Sequence, residues 1–299
     1  MMMKTAALLA VAALAALGQT DVDRVLKGAI DIHVHAAPDS TERSIDSIDV
    51  AKLAKARGMR AIVLKSHYEP TATMAFIVRK EVPGIEVFGG IDLNLTVGGM
   101  NATAVEHMTQ VSGGWGRFVW MSTFDAENQV RYSKEDRPFV RVSKDGQLVP
   151  DVKNVIAVIA KHNLVLATGH VSPDEGLMLV REGKRQGVRH MVITHAMTAP
   201  VLMNVDQMQQ AAKEGAFVEF VAGSIAGRGG PAKVDSYAGA MRTIGIESCI
   251  LSSDLGQKNN ALPPDGLGAF LLALRARGFT DAQLDRISKQ NPAQLLDLK

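Results

Sequence analysis

The chain has 299 residues and a single cysteine, Cys249. One cysteine excludes an internal disulfide framework and a cysteine-rich zinc site. In "ESCILSSD" it reads as a small buried core residue. Aromatic residues make up only 5%, and 33 Lys and Arg nearly balance 31 Asp and Glu. With no basic run and no interleaved aromatic patch, a dedicated nucleic-acid surface is not expected. A run long enough for a stable membrane span is also missing, since the uncharged Ala/Leu/Val run from Thr5 to about Leu17 is too short. No glycine-rich dinucleotide fingerprint follows the first strand-like run, which counts against an open nucleotide-binding sheet.

What is present begins with a leader. "MMMKTAALLAVAALAALGQT" carries one Lys, then an Ala/Leu/Val run, with Ala16 and Gly18 at the −3 and −1 positions of a cut before Gln19. This is the pattern of a secretory signal peptide over residues 1–18, and it predicts a periplasmic or secreted protein. The alternative is an ordinary N-terminal helix. Residues 19–299 are then expected to form one domain.

Along that domain strand-like and helix-like segments alternate. The apolar runs are "GAIDIHV", "MRAIVLK", "IEVFGGID", "RFVWMST", "LVLATGH", "HMVITH", "AFVEFVAG" and "SCILSSD". Between them, Ser44 to Arg57 has one apolar face closed by Gly58, and Val152 to Ala160 has a cleaner stripe with Asp151 as the expected N-cap. Further helices are expected over 71–81, 101–111, 173–187, 205–214, 232–243 and 265–277. Near-continuous apolar strands alternating with helices predict a parallel sheet, and eight such units predict an α/β (β/α)8 TIM barrel. The irregular stretch from Thr123 to Pro150 holds Asp145-Gly146 between apolar runs, and predicts a hairpin inserted after the fourth strand. A loop of that length on a barrel is commonly a lid or a substrate-binding element.

The strand ends carry the chemistry. The first run ends in His33 and His35, the second in Lys65 and His67, the third in Asp92 and Asn94. The fifth ends in His170, the sixth in His195 and the eighth in Asp254. Five of the eight histidines therefore fall at C-terminal strand ends, the face where a barrel builds its active site. Each residue has a bland reading alone, and Asp254 could simply cap a turn. Together, His33, His35, His170, His195 and Asp254 converge on one pocket only if the chain is a barrel, and there they make a divalent-metal site.

This ordered set resembles the amidohydrolase superfamily of metal-dependent hydrolases, near its TatD-like and phosphotriesterase-like branches. The matching residues are "DIHVH" (His33, His35), "ATGH" (His170), "VITH" (His195) and "SSDLG" (Asp254), and "ISKQNPAQLLDL" is similar to the family's closing segment. The resemblance implies a metal-activated water, with Asp254 as the base that takes its proton, and His195 or His67 stabilising the developing oxyanion. Neutral imidazoles and a carboxylate suit Zn²⁺, one or two ions, with other divalent metals not excluded.

One departure stands out. Binuclear relatives carry a bridging carboxylated Lys or a Glu at the end of the fourth strand, and "RFVWMST" has neither. Lys65 is the candidate substitute, either carboxylated as a bridging ligand or remaining an amine that serves as acid/base or substrate anchor. A lysine reaching out of the barrel rim is the plain alternative. His67 is an additional ligand or, preferably, a donor to the substrate. Asp92, Asn94 and Arg228 in "GSIAGRGGPAK" are the other candidate substrate contacts, Arg228 for an anionic group. Glu219 in "FVEFV" reads as a buried partner for a ligand histidine or a helix-facing residue. Arg131, Tyr132, Arg137 and Arg141 form a mild basic cluster, fitting either a carboxylate-bearing substrate or a solvated hairpin.

The expected activity is hydrolysis of an amide, lactone or other ester bond in a small molecule. Phosphoester hydrolysis, decarboxylation on the same metal, or exported metal or ligand binding without turnover stay open, as does a homo-oligomer.

Overall fold

All eight apolar runs become parallel strands in the computed structural model, which describes residues 21–226 and 230–299. The leader over residues 1–18 and Arg228 lie outside the described residues. The strands are β1 (Ile30–His35), β2 (Ala61–Lys65), β3 (Glu86–Asp92), β4 (Gly116–Trp120), β7 (Val165–Ala167), β8 (His190–Ile193), β9 (Phe217–Val221) and β10 (Cys249–Ser252). They pair side by side in chain order, and a parallel bridge between Val34 and Leu255 joins the last strand to the first. The (β/α)8 barrel expected from the sequence is what forms. The remaining two strands, β5 (Ser143–Lys144) and β6 (Gln147–Leu148), make the hairpin inserted after β4. Its turn residues Asp145 and Gly146 both have positive φ, 51° and 73°, as a tight two-residue hairpin turn demands.

Helix starts follow local capping. The helix Ser47–Ala56 begins where the Asp46 carboxylate accepts from Ile48 N and Asp49 N, three residues later than the apolar pattern suggests. The helix Pro150–Lys161 is not capped by Asp151. Pro150 takes its first turn and Asp151 sits just inside, where its charge suits the helix N-terminus. No helix among the described residues is long and apolar enough to cross a membrane.

Two apolar layers hold the barrel. Alternate strand residues point inward, among them Ile30, Ile32, Val63, Phe118, Trp120 and Ile250, with Leu295 and Leu296 from the closing helix filling one end. The other strand faces, including Val34, Leu64, Val119 and Leu166, pack against the helices. The Asn291 amide, at the start of the closing helix Asn291–Leu295, donates to Ile246 O and Cys249 O at 2.9 and 2.6 Å. This ties the helix to the foot of β10.

One irregularity positions the site. In β1 the pairing register shifts between Asp31 and Val34. Before the shift, Ile30 and Ile32 point into the barrel; after it, Val34 packs outward. The inward face is thereby handed to His33 and His35. A β-bulge that re-aims side chains in this way is a common device beside active sites. Asp31 secures it: its Oδ1 accepts from His33 N at 3.1 Å and from Ser253 N at 2.9 Å. Burial pushes the Asp31 pKa up to about 6, against the hydrogen bonds from Ser253 and His33. The backbone crowds closely there. A Cβ on Gly256, whose φ is +119°, would fall 1.8 Å from His35 O.

Two outcomes follow. Asp31→Ala leaves two buried N–H groups without an acceptor and should cost about 2–5 kcal/mol in denaturant unfolding, while Asp31→Asn keeps the acceptor oxygen and should cost much less. Equal losses in both variants would refute the bracing role. Cys249 is fully buried, and burial pushes its thiol up to about 12. A thiol reagent at pH 8 should leave the native protein unlabelled and react fully once it is unfolded.

Candidate metal centre

At the C-terminal mouth of the barrel, β1 and the segment after β10 bring three donor atoms together. His33 Nε2 and His35 Nε2 each lie 3.2 Å from Asp254 Oδ1. The three residues form a group whose ligand atoms lie within 4.8 Å of one another. Two donors on a tetrahedral ion held at about 2.0–2.1 Å stand roughly 3.3 Å apart, so these separations are those such an ion requires. His33 Nε2 is buried and has no hydrogen-bond partner. Neutral imidazole nitrogens around a carboxylate are the donor chemistry of a divalent metal such as zinc. The residues present fit the divalent ion that the sequence resemblance implies.

Behind the donors sits Glu219 of β9. Its Oε1 is 3.1 Å from His33 Nδ1 and accepts from Ser252 Oγ at 2.6 Å, and its Oε2 accepts from His195 N at 2.8 Å. A carboxylate only accepts, so His33 carries its proton on Nδ1 and leaves Nε2 free for a ligand, the usual outer support of a metal-bound histidine. Of the two sequence readings for Glu219, the buried partner is the one observed.

His33, His35, His67, His170 and His195 form a closed ring around the mouth. Successive ring centroids are 5.2 Å (His33–His35), 5.0 Å (His35–His67), 5.8 Å (His67–His170), 4.8 Å (His170–His195) and 6.0 Å (His195–His33) apart. Burial drives most of them toward the neutral state, His35 down to about 3 and His195 to about 4, with His67 and His170 also well below the ordinary value. His33 is the exception. Burial opposes its charge, but Asp254 and Glu219 on either side outweigh that and raise its pKa. Asp254 itself is held well below the carboxylate range, because His33, His35 and His195 overcome the cost of burying it. A histidine pressed between two carboxylates marks a place that calls for positive charge.

His195 and His170 adjoin the three-donor group without entering it. His195 Nδ1 is buried without a partner, and His170 Nδ1 lies 2.9 Å from Gln129 Oε1. Both His195 and Asp254 have left-handed backbone, φ 26° and 48°, conformations uncommon outside glycine that tend to collect at functional sites.

Lys65 points into the barrel rather than out of its rim, and only 1% of it is exposed. Its Nζ lies 3.3 Å from Asp92 Oδ2 and 5.5 Å from the Trp120 ring centroid. Asn94, expected to touch substrate, is fully buried with both ends of its amide engaged. Oδ1 accepts from Ser122 Oγ, Thr123 N and Asp125 N, and Nδ2 donates to His67 O and Thr123 Oγ1. It braces the wall instead, because the loop after β4 folds back onto it. Asp92 is buried likewise against Lys65 and Thr123.

The basic cluster of the insertion also resolves into pairs. Arg131 and Arg141 bond Glu127, and Arg137 bonds Asp125 and Glu135. No free guanidinium of this cluster is left for a carboxylate. A cavity of about 380 Å³ beside the histidines is lined by Tyr68, Phe124, Gln129, Glu135 and Arg137. Phe124 stacks on His67 with centroids 3.7 Å apart. A larger cavity, about 550 Å³, lies between the hairpin and the helix Pro173–Arg185, and none of the five histidines lines it. Sequence reasoning missed Asp31, Thr123, Phe124 and Gln129. Only Asp31 carried a signal, as the acid that opens "DIHVH".

Solved structures share this fold across nearly the whole chain. An amidohydrolase from Pseudomonas aeruginosa is 14% identical, with 93% of this chain and 98% of that chain covered at a TM-score of 0.64. The probable dipeptidase PvdM from Pseudomonas aeruginosa is 10% identical over 94% and 98%, at 0.67. A putative 2-pyrone-4,6-dicarboxylic acid hydrolase from Pseudomonas putida is 15% identical over 90% and 97%, at 0.59. At such identities the likeness is one of fold. No curated protein matches the sequence. A family model does match, over residues 28–219, from the strand that carries the paired histidines to the glutamate behind them. With more than half its length matched, the chain belongs to that family, described as a family of unknown function, DUF6282.

Proposed function

We propose that the chain is a metal-dependent hydrolase that cleaves an amide, lactone or other ester bond of a small molecule. The observation that carries this reading is the convergence of His33 Nε2, His35 Nε2 and Asp254 Oδ1 on one point at the barrel mouth. The hydrolases among its structural neighbours support it.

His33, His35 and Asp254 would hold the ion, most fittingly Zn²⁺, with His170 and His195 on its open side. When bound, such an ion polarises a scissile carbonyl and makes water acidic enough to react near neutral pH. Asp254, kept ionised by its histidine neighbours, takes the proton from the attacking water and passes it to the leaving group. His195, with one nitrogen unpartnered, stands ready to stabilise the developing oxyanion. The Tyr68 and Phe124 cavity offers a flat apolar wall for the rest of the substrate. Lys65 stays uncarboxylated in this reading. Carboxylating it would set a second anion against Asp92, 3.3 Å away. We also propose that the protein acts outside the cytoplasm, with a mature N-terminus at Gln19.

Asp254→Asn should lower kcat/KM about 10²- to 10⁴-fold on any lactone, N-acyl amino acid, cyclic imide or phosphoester that the wild type turns over, while metal stays bound. Full activity in that variant would overturn the mechanism. Elemental analysis of wild type and Lys65→Met should give the same metal content. A fall from two equivalents to one would instead assign Lys65 a bridging role.

A further inference from the structure

The wall behind His67 fixes where that histidine carries its proton. Backbone N–H groups can only donate, so the Asn94 amide atom facing Thr123 N at 2.9 Å and Asp125 N at 3.1 Å is its oxygen. The other end is therefore the NH2, which donates to His67 O at 2.6 Å and to Thr123 Oγ1 at 2.7 Å. That leaves the Thr123 hydroxyl one proton and one lone pair. Asp92 Oδ2, 3.1 Å from Thr123 Oγ1, is also 3.3 Å from the Lys65 ammonium. A carboxylate held by an ammonium only accepts, so the Thr123 hydroxyl donates its hydrogen bond to Asp92. The last lone pair of Thr123 faces His67 Nδ1 at 2.9 Å, and Nδ1 must supply the hydrogen.

We infer that His67 is locked as the Nδ1–H tautomer and presents Nε2 to the site as an acceptor, with Thr123, Asp92 and Asn94 as its positioning residues. Nε2 has no hydrogen-bond partner among the described residues. The ring is stacked flat against Phe124 and lies between His35 and His170. This reverses the donor role that the sequence favoured. An Nε2 lone pair can take a proton or bind an electrophile, but it cannot donate to a substrate carbonyl. Its part in turnover rests on the hydrolase reading, whereas the tautomer follows from this chain's hydrogen bonds alone.

The test is long-range ¹H–¹⁵N correlation of the full ¹⁵N-labelled chain, with and without added Zn²⁺, with His67 assigned by its loss in His67→Gln. Wild type and Thr123→Ser should both show His67 protonated at Nδ1. In Thr123→Val the ratio of Nδ1–H to Nε2–H should fall about tenfold, the worth of one hydrogen bond. The other histidine signals, unmoved, would show that the fold is intact. Protonation at Nε2 in the wild type, or an unchanged ratio in folded Thr123→Val, would overturn the inference. Where a substrate is in hand, Thr123→Val should lose about 10- to 100-fold in kcat with metal content unchanged, and Thr123→Ser should restore it. A correct tautomer with no turnover on any substrate would count against the hydrolase reading and leave the lock standing.

Discussion

Everything at the mouth of this barrel depends on one change of phase in β1. A regular strand that points Ile30 and Ile32 inward would send His33 and His35 out among the helices. The register shift after Asp31 reverses them. The Asp31 carboxylate stabilises the irregular backbone, bonding β1 to the residue after β10 across the seam where the barrel closes. The same contact that closes the sheet therefore also sets the position of Asp254 relative to the two histidines, and the Asp254 N–H donates to His33 O at 2.9 Å.

Around that seam the site is built as two layers of opposite tendency. The outer layer is ionic: Glu219 behind His33, and Asp92 paired with Lys65. The inner layer is a ring of imidazoles that burial keeps largely neutral. Buried carboxylates without a cation are costly. The His33–Glu219–Asp254 arrangement, one histidine between two carboxylates, therefore favours positive charge at this point. Glu219 holds His33 from outside, and the imidazoles line the inside together with Asp254.

Much of this was legible in the sequence. Buried parallel strands are apolar throughout, so the eight runs could be read without ambiguity, and the polar residue ending each run marked the active face. The pairings were not legible. Asp31 reaches Ser253 across the closing pair of strands, and His67 reaches Thr123 over the end of β3, only because the strands stop at matched heights. Helix and strand periodicity carries no record of register. Asn94 shows the limit well: its position at a strand end suggested substrate contact, but the loop after β4 turns back to occupy its amide. The insertion arginines looked available for the same reason, since sequence order hides that Glu127, Asp125 and Glu135 lie against them.

Those rim pairs bear on how a substrate arrives. Arg131 and Arg141 share Glu127, and Arg137 sits between Asp125 and Glu135, so the three cations and three carboxylates of the insertion balance at contact range. The chain as a whole is close to neutral, at +2. Such a surface casts little field beyond the Debye length of its surroundings. A small molecule arriving at this mouth meets it by diffusion, at a rate nearly indifferent to ionic strength.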